Sequence, residues 1–322
     1  MPLARLVGGI DPLVRLLALA IVLASLLPVT GPYRPIAEGI SNGAIFVLFL
    51  LNGLRLPRAE VLRGMRHMRF LAPLALWCFG AMTLGGWALA QAGTALLLPP
   101  TVALGLLFLG ALPSTVQSAT AYTSLAGGNV AVSVVAAAFL NILGVFLSAP
   151  LFSLLAGSEA AAFDWAALER IALILLLPFV LGQLAQGWAG HWVRDHRLLA
   201  IWMDRTAIAI AVYVAFSAAV GQGLWQLVGL DDWAALMLLI GLFLGFGFGG
   251  AWWLGGALGL GREDRIAFLF AGAQKSIALG APLASVLYPP AIAGLLLLPV
   301  LIYHLLQLVL SAPLATRLNR PG

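Results

Sequence analysis

The chain has 322 residues, of which 62% are hydrophobic and only 9% charged, too little polar surface to cover a soluble globule of this size. A net charge of +5 would suit a nucleic-acid partner if the arginines lay on a soluble surface. They collect instead in short loops between apolar runs, where membrane orientation explains them, so lipid and not nucleic acid is the expected surround.

The apolar runs approach the roughly 20 residues that a transmembrane helix needs, and no short alternating strands of an outer-membrane barrel occur. The expected fold class is therefore an all-α polytopic membrane protein. The first run follows Arg5 and Arg15 as a signal peptide would, but no small-residue cleavage site and polar mature domain come after it. It reads as helix 1, about Leu13 to Pro28, with Asp11 as N-cap and Pro12 in the first turn. Helix 2 is expected over about Ala37 to Leu54, followed by the most basic stretch of the chain, Arg55 to Arg69. Helix 3 follows over about Phe70 to Gln91, helix 4 over Thr101 to Leu125 and helix 5 over Asn129 to Leu155. After a loop with Glu159 and Asp164 come helix 6, about Ala166 to Trp188, a second basic loop with Arg194 and Arg197, and helix 7, about Leu199 to Val220. Helix 8 (Trp233 to Leu258), helix 9 (Ile266 to Leu287) and helix 10 (Ala291 to Leu314) complete ten expected crossings.

With both termini in the cytoplasm, of a bacterial inner membrane, nearly every arginine falls inside, and only Arg34 and Arg170 fall outside. A wrong helix count would scramble that bias. The single Cys78 lies within a span and has no intramolecular disulfide partner.

An internal repeat is visible. Leu147-Ser148-Ala149-Pro150-Leu151 recurs as Leu310-Ser311-Ala312-Pro313-Leu314, and Gly85-Gly86-Trp87 is echoed by Gly249-Gly250-Ala251-Trp252 at an offset that agrees to within one residue. Two halves of five helices, 1–160 and 161–322, are expected, and since five is odd the second is inverted relative to the first. Gly241, Gly245 and Gly249 in helix 8 recur at four-residue spacing, which predicts close helix packing within the fold.

The same offset carries Pro113 of helix 4 onto the neighbourhood of Ser276 in helix 9. Leu112-Pro113 removes a backbone donor, and Ser114, Thr115, Gln117, Ser118 and Thr120 follow with small polar side chains able to satisfy freed carbonyls. In helix 9, Gly272 and Gly280 flank Gln274-Lys275-Ser276. Lys275 is the only lysine in the chain, and a central lysine costs roughly 2.5 to 3.5 kcal/mol on insertion scales, so it is expected to face a partner or a pathway. Paired interruptions at corresponding positions of two halves point to a transporter's binding site. Every Asp and Glu lies in a loop or within about a turn of a helix end, which excludes carboxylate proton relays and intramembrane aspartyl proteases, and no Ser with a His partner suggests an enzyme. His304 is the other titratable group deep in a span, a packing histidine or a proton-coupling residue. Asn52, Asn141 and Gln183 are embedded amides; Gln183 reads as a bridge between helices, while cavity lining and bridging stay open for the other two.

Pro113-Ser114-Thr115, Leu125-Ala126-Gly127-Gly128-Asn129-Val130-Ala131 and Gln274-Lys275-Ser276 with Leu279-Gly280 resemble the bile acid:sodium symporter family, solute carrier family 10. The likeness is greatest to the branch of its seventh human member and bacterial relatives, and covers essentially the whole chain. The resemblance implies a panel domain of helices 1, 2, 6 and 7 and a core domain of helices 3 to 5 and 8 to 10. It further implies that helices 4 and 9 unwind and cross at mid-membrane. It also implies sodium-coupled uptake of an organic anion, bile-acid-like or another small carboxylate or sulfonate. The family's sodium-binding polar positions fall around Ser118 to Thr120, on Ser133 and on Gln274, giving Ser118, Thr120, Ser133 and Gln274 as the sodium set and no other cofactor. Two positions depart from the pattern: a helix 5 hydroxyl falls on Ala137, and the sodium-binding glutamate of helix 9 falls near Phe270 or Ala271. The Lys275 ammonium is then expected to stand in for a bound sodium ion among the dipoles of Ser114 to Thr120 and to offer a positive partner to the anion. Its proton gain and loss would couple transport to pH. Two alternatives remain at this stage: a non-transporting regulatory membrane protein on the same fold, and a photoreceptor with a lysine Schiff base, against which the missing carboxylate counterion argues.

Overall fold

The structure, a computed structural model, describes residues 11–55, 67–157, 169–170 and 172–319. Most of the basic stretch 56–66, the loop carboxylates Glu159 and Asp164, and Arg5 and Arg320 lie outside the described residues. Among the described residues every regular element is helical and there is no strand. In chain order the helices are α1 (Pro12–Leu26), α2 (Arg34–Arg55), α3 (Met68–Ala95), α4 (Pro100–Ala111), α5 (Gln117–Leu125) and α6 (Val130–Ala156). They continue as α7 (Ala172–Asp195), α8 (Arg197–Gly221), α9 (Leu230–Ala257), α10 (Arg262–Ala273), α11 (Ile277–Leu287) and α12 (Pro290–Leu318). Among the described residues eight spans are long and apolar enough to cross a membrane, the run of α10 and α11 counting as one. The apolar α1 and α4 are shorter. The chain is a multi-pass integral membrane protein. Asp11 caps α1 as expected, its Oδ1 accepting Leu13 N–H at 2.7 Å.

The chain divides into two compact units. The first comprises Met1–Arg55, Glu169–Trp225 and Ala281–Leu295. In it α2 and α7 cross where Gly53 and Gly182 bring the backbones together, a Cβ at Gly182 meeting Gly53 Cα at 3.0 Å. Gln183 Nε2 donates to the Gly53 carbonyl, the bridging role expected of it, while Asn52 is exposed. Arg55 pairs with Asp204, and Tyr213 donates to Leu27 O at 2.8 Å.

The second unit comprises Leu56–Leu168, Gln226–Gly280 and Leu296–Gly322. Its α3 holds Pro73, which cannot donate to the preceding turn, and then widens into a π-helical turn over Leu76–Ala81 that Met82 N–H closes on Trp77 O. A residue inserted in this way re-aims nearby carbonyls. α3 and α4 meet at two glycines: a Cβ on Gly110 would lie 2.6 Å from Met82 O, and one on Gly86 at 2.6 Å from Leu106 O. The glycines of α9 behave otherwise than their spacing predicted. Gly241, Gly245 and Gly249 have nothing within 4 Å of an added Cβ, while Gly250 is the seat of the Trp77 ring and Gly247 faces Tyr303. Four-residue spacing sets three glycines on one face, but the larger side chains of α9, Phe243 among them, decide which face turns inward.

The loop between α5 and α6 is locked to α10. Gly127, at φ +70°, ends α5 in a left-handed turn with Gly128 N–H on Thr123 O at 2.8 Å, a closure that favours glycine. Asn129 then caps α6 through Val132 N–H and reaches Asp264 Oδ1 with its amide nitrogen at 2.8 Å.

Candidate functional site

Expected helices 4 and 9 are each broken. α4 ends at Ala111 and α5 begins at Gln117; α10 ends at Ala273 and α11 begins at Ile277. The first break centres on a proline, which disfavours the helical region for the residue before it, and Leu112 is extended at φ −74°, ψ 149°; since α6 and α12 run on through Pro150, Pro299 and Pro313, the proline alone does not make the break. The Pro113 ring seats against Gly144 of α6. The second break opens in the same way, Gln274 lying at φ −82°, ψ 146°, but with no proline. The flanking glycines do not make it: Gly272 is helical and lies under Trp77, and Gly280 receives Leu112.

What holds the second break open is a set of tertiary hydrogen bonds. Ser276 N–H donates to Pro113 O at 2.9 Å, joining the two breaks backbone to backbone. Gln307 of α12 brackets the Lys275 peptide, its Oε1 accepting Lys275 N–H at 2.8 Å and its Nε2 donating to Lys275 O at 3.0 Å. Tyr303 donates to Ala273 O at 2.7 Å, and Ser311 accepts from Gln274 Nε2 at 3.1 Å. Tyr303, Gln307 and Ser311 are four residues apart on α12 and so share a face. Sequence reasoning missed this stripe, whose helical spacing of polar groups in an apolar helix was the available signal.

Lys275 is fully buried. Its Nζ donates to Leu112 O at 2.7 Å, Gly110 O at 2.8 Å and Cys78 O at 3.1 Å, with Cys78 Sγ at 3.7 Å. Two of these carbonyls end α4, where a helix has acceptors without partners and a partial negative charge; the third comes from the π-helical turn of α3. The expectation that the ammonium sits among the Ser114 to Thr120 dipoles is thus replaced by carbonyls one turn earlier, because the proline break exposes the acceptors before it. The ammonium has no surface left for an anion in this conformation.

The other predicted residues divide. Gln274 Oε1 accepts from Thr115 at 2.7 Å and Ser118 at 2.6 Å. Ser114 is buried, its carbonyl accepting Asn141 Nδ2 at 3.0 Å. Ser276 is buried and caps α11 through Leu279 N–H at 3.4 Å. Gln117 is exposed at the start of α5. Of the sodium set, Ser118 and Gln274 meet, Ser133 is engaged by Thr123 at 3.3 Å, and Thr120 Oγ1 is buried without a partner. The glutamate position is taken by Phe270 and Ala271, both fully buried. Neutral oxygens engaged with Gln274 and Thr123, without a carboxylate, do not fit a sodium shell of the expected composition. Among the described residues no group of three or more His, Cys, Asp or Glu side chains is placed to hold a metal ion.

A helical membrane protein whose two broken helices meet around a buried cation has the construction of a solute carrier. The chain belongs to the SBF-like CPA transporter family, whose model matches residues 11–320, and that family consists of transporters, not enzymes. It is 38% identical over 309 residues to an uncharacterized protein of Pseudomonas aeruginosa, covering 93% of this chain and 90% of that protein. It is 35% identical over 316 residues to YfeH of Escherichia coli, covering 97% and 93%. To mouse sodium/bile acid cotransporter 7 it is 23% identical over 297 residues, covering 88% and 84%.

Proposed function

We propose that this protein is a secondary active carrier of a small organic anion, a bile-acid-like solute or another carboxylate or sulfonate, working by alternating access. The observation that carries the reading is the Lys275 ammonium held by the carbonyls that end α4, beside two breaks joined backbone to backbone. The anion is taken up near the N-terminal end of α5, where Gln117 is exposed and Ser118 and Thr120 partly so and where the helix dipole favours negative charge. Lys275 acts as a tethered cation: in this conformation it neutralises the end of α4 and adds positive charge near the site without touching the solute.

In this reading α1 and the α4–α5 pair also cross the membrane, giving ten crossings in two inverted halves, 1–160 and 161–322, with both termini in the cytoplasm of a bacterial inner membrane. The unit holding α1, α2, α7 and α8 is the panel, and the unit holding α3 to α6, α9 and α10 is the core. The matched Leu-Ser-Ala-Pro-Leu segments and the equal geometry of Leu112 and Gln274 support this. Coupling to sodium or to a proton at Lys275 is separated by one assay. Uptake of labelled organic anions into proteoliposomes is measured with an imposed sodium gradient, an imposed proton gradient or neither. Gradient-dependent uptake that Lys275→Ala and Lys275→Gln abolish is expected; no uptake of any anion under any gradient would refute the carrier reading, and uptake unchanged in both variants would remove Lys275 from the mechanism.

A further inference from the structure

The Gln307 carboxamide cannot be turned end for end. Its Oε1 faces the Lys275 N–H and its Nε2 faces the Lys275 carbonyl, at 2.8 Å and 3.0 Å, and reversal would set donor against donor and acceptor against acceptor. The backbone therefore assigns the amide. One Nε2 proton remains, and His304 Nδ1 lies 2.9 Å away, one turn back on α12. That nitrogen must accept, so in this conformation the imidazole is neutral with its proton on Nε2.

The geometry points to His304 as a proton-binding residue of the transport cycle. A proton taken up from water at Nδ1 turns the acceptor into a donor aimed at the Gln307 N–H. Gln307 must then swing away or reverse, and either movement frees the Lys275 peptide from α12. The pair of hydrogen bonds by which Gln307 holds the Lys275 backbone is thereby tied to the protonation state of a histidine, and Gln307 is the positioning residue between them.

Titratable side chains also lie on α12, at the break, and on α5, α9 and α10. On α12 these are Tyr303, donating to Ala273 O, and Arg317 in the last turn. The break supplies Lys275 on its three carbonyls, with Cys78 beneath it. α5 offers Tyr122, whose hydroxyl donates to Leu308 O. α4 has none, α9 has Asp231 and Asp232 in its first turn, and α10 has its charged first turn, Arg262 to Arg265, at its far end. No carboxylate falls in the middle turns of these helices.

This inference rests on the carrier reading for its purpose but is tested without a solute. Cys78 is the only cysteine of the chain and is buried under Lys275, so its alkylation reports release of the break. The full-length protein in detergent is labelled with a maleimide between about pH 5.5 and pH 8, and each rate is divided by that of a small free thiol at the same pH. Corrected labelling of the wild type is expected to rise as the pH falls, by at most about tenfold per pH unit for a single proton. His304→Asn and His304→Gln, which retain an acceptor and do not titrate, are expected to give a flat profile, and Gln307→Ala rapid labelling at every pH. A flat wild-type profile, or a wild-type profile preserved in either His304 variant, overturns the proposal. Failure of solute uptake would leave this result standing, so the two readings fail separately.

Discussion

An ammonium has three protons, and Lys275 places each on a backbone carbonyl: Leu112, Gly110 and Cys78. A neutral amine would leave one of those acceptors without a donor, so the three contacts match the donors of the charged form. Each buried acceptor stripped of its donor costs about 1–3 kcal/mol. Lys275→Met, similar in length and unable to donate, is therefore expected to lose at least about 3 kcal/mol, read as a fall in thermal unfolding midpoint in detergent; an unchanged midpoint would show that water replaces the amine. Gln274 is buffered by comparison. Its oxygen accepts from both Thr115 and Ser118, so Ser118→Ala should cost only about 1 kcal/mol, measured the same way, with Thr115 keeping the amide in place.

The two breaks show that one local shape can have two causes. Pro113 favours an end to α4, because it removes a donor and disfavours the helical region for Leu112, although α6 and α12 run on through Pro150, Pro299 and Pro313. Nothing inside Gln274-Lys275-Ser276 does the same for α10; the extended Gln274 persists because Gln307, Tyr303 and Pro113 O take up the backbone groups that a continuous helix would use. Helix crossings follow a similar division. Gly110 sits where an added Cβ meets Met82 O at 2.6 Å, and backbone cannot give way, while Gly241 faces open space. Gly110→Ala is accordingly expected to destabilise by roughly 1–3 kcal/mol through overpacking, and Gly241→Ala to be neutral or stabilising by up to about 1 kcal/mol through helix propensity. Thermal unfolding of the pair checks both, and equal effects would mean that α3 and α4 do not meet at Gly110.

For the whole molecule, charge is the organising quantity. The arginine bias that orients the chain needs no tertiary contact, and it predicts which loops meet the cytoplasm. In a Cys78→Ala background, Gln222→Cys should react with a membrane-impermeant maleimide added outside intact cells, and Arg194→Cys should react only after lysis; both side chains are exposed. The reverse pattern would overturn the proposed orientation.

The sequence alone determined the membrane character and the approximate helix positions, and it singled out Pro113 and the lone lysine within a span, because hydropathy, proline sterics and the cost of a buried charge act over a few residues. It also pointed to the transporter family through short motifs. The partners of Lys275 were beyond its reach: they are backbone carbonyls, which every residue has, selected by a π-helical turn in α3 and by a glycine contact between α3 and α4. Tertiary packing also chose which glycines of α9 face inward, engaged Ser133 with Thr123, and placed Gln307 against a peptide more than thirty residues earlier. Those outcomes depend on how neighbouring helices are rotated about their axes, and that rotation is settled by the fit of side chains across helices, which no local stretch of sequence contains.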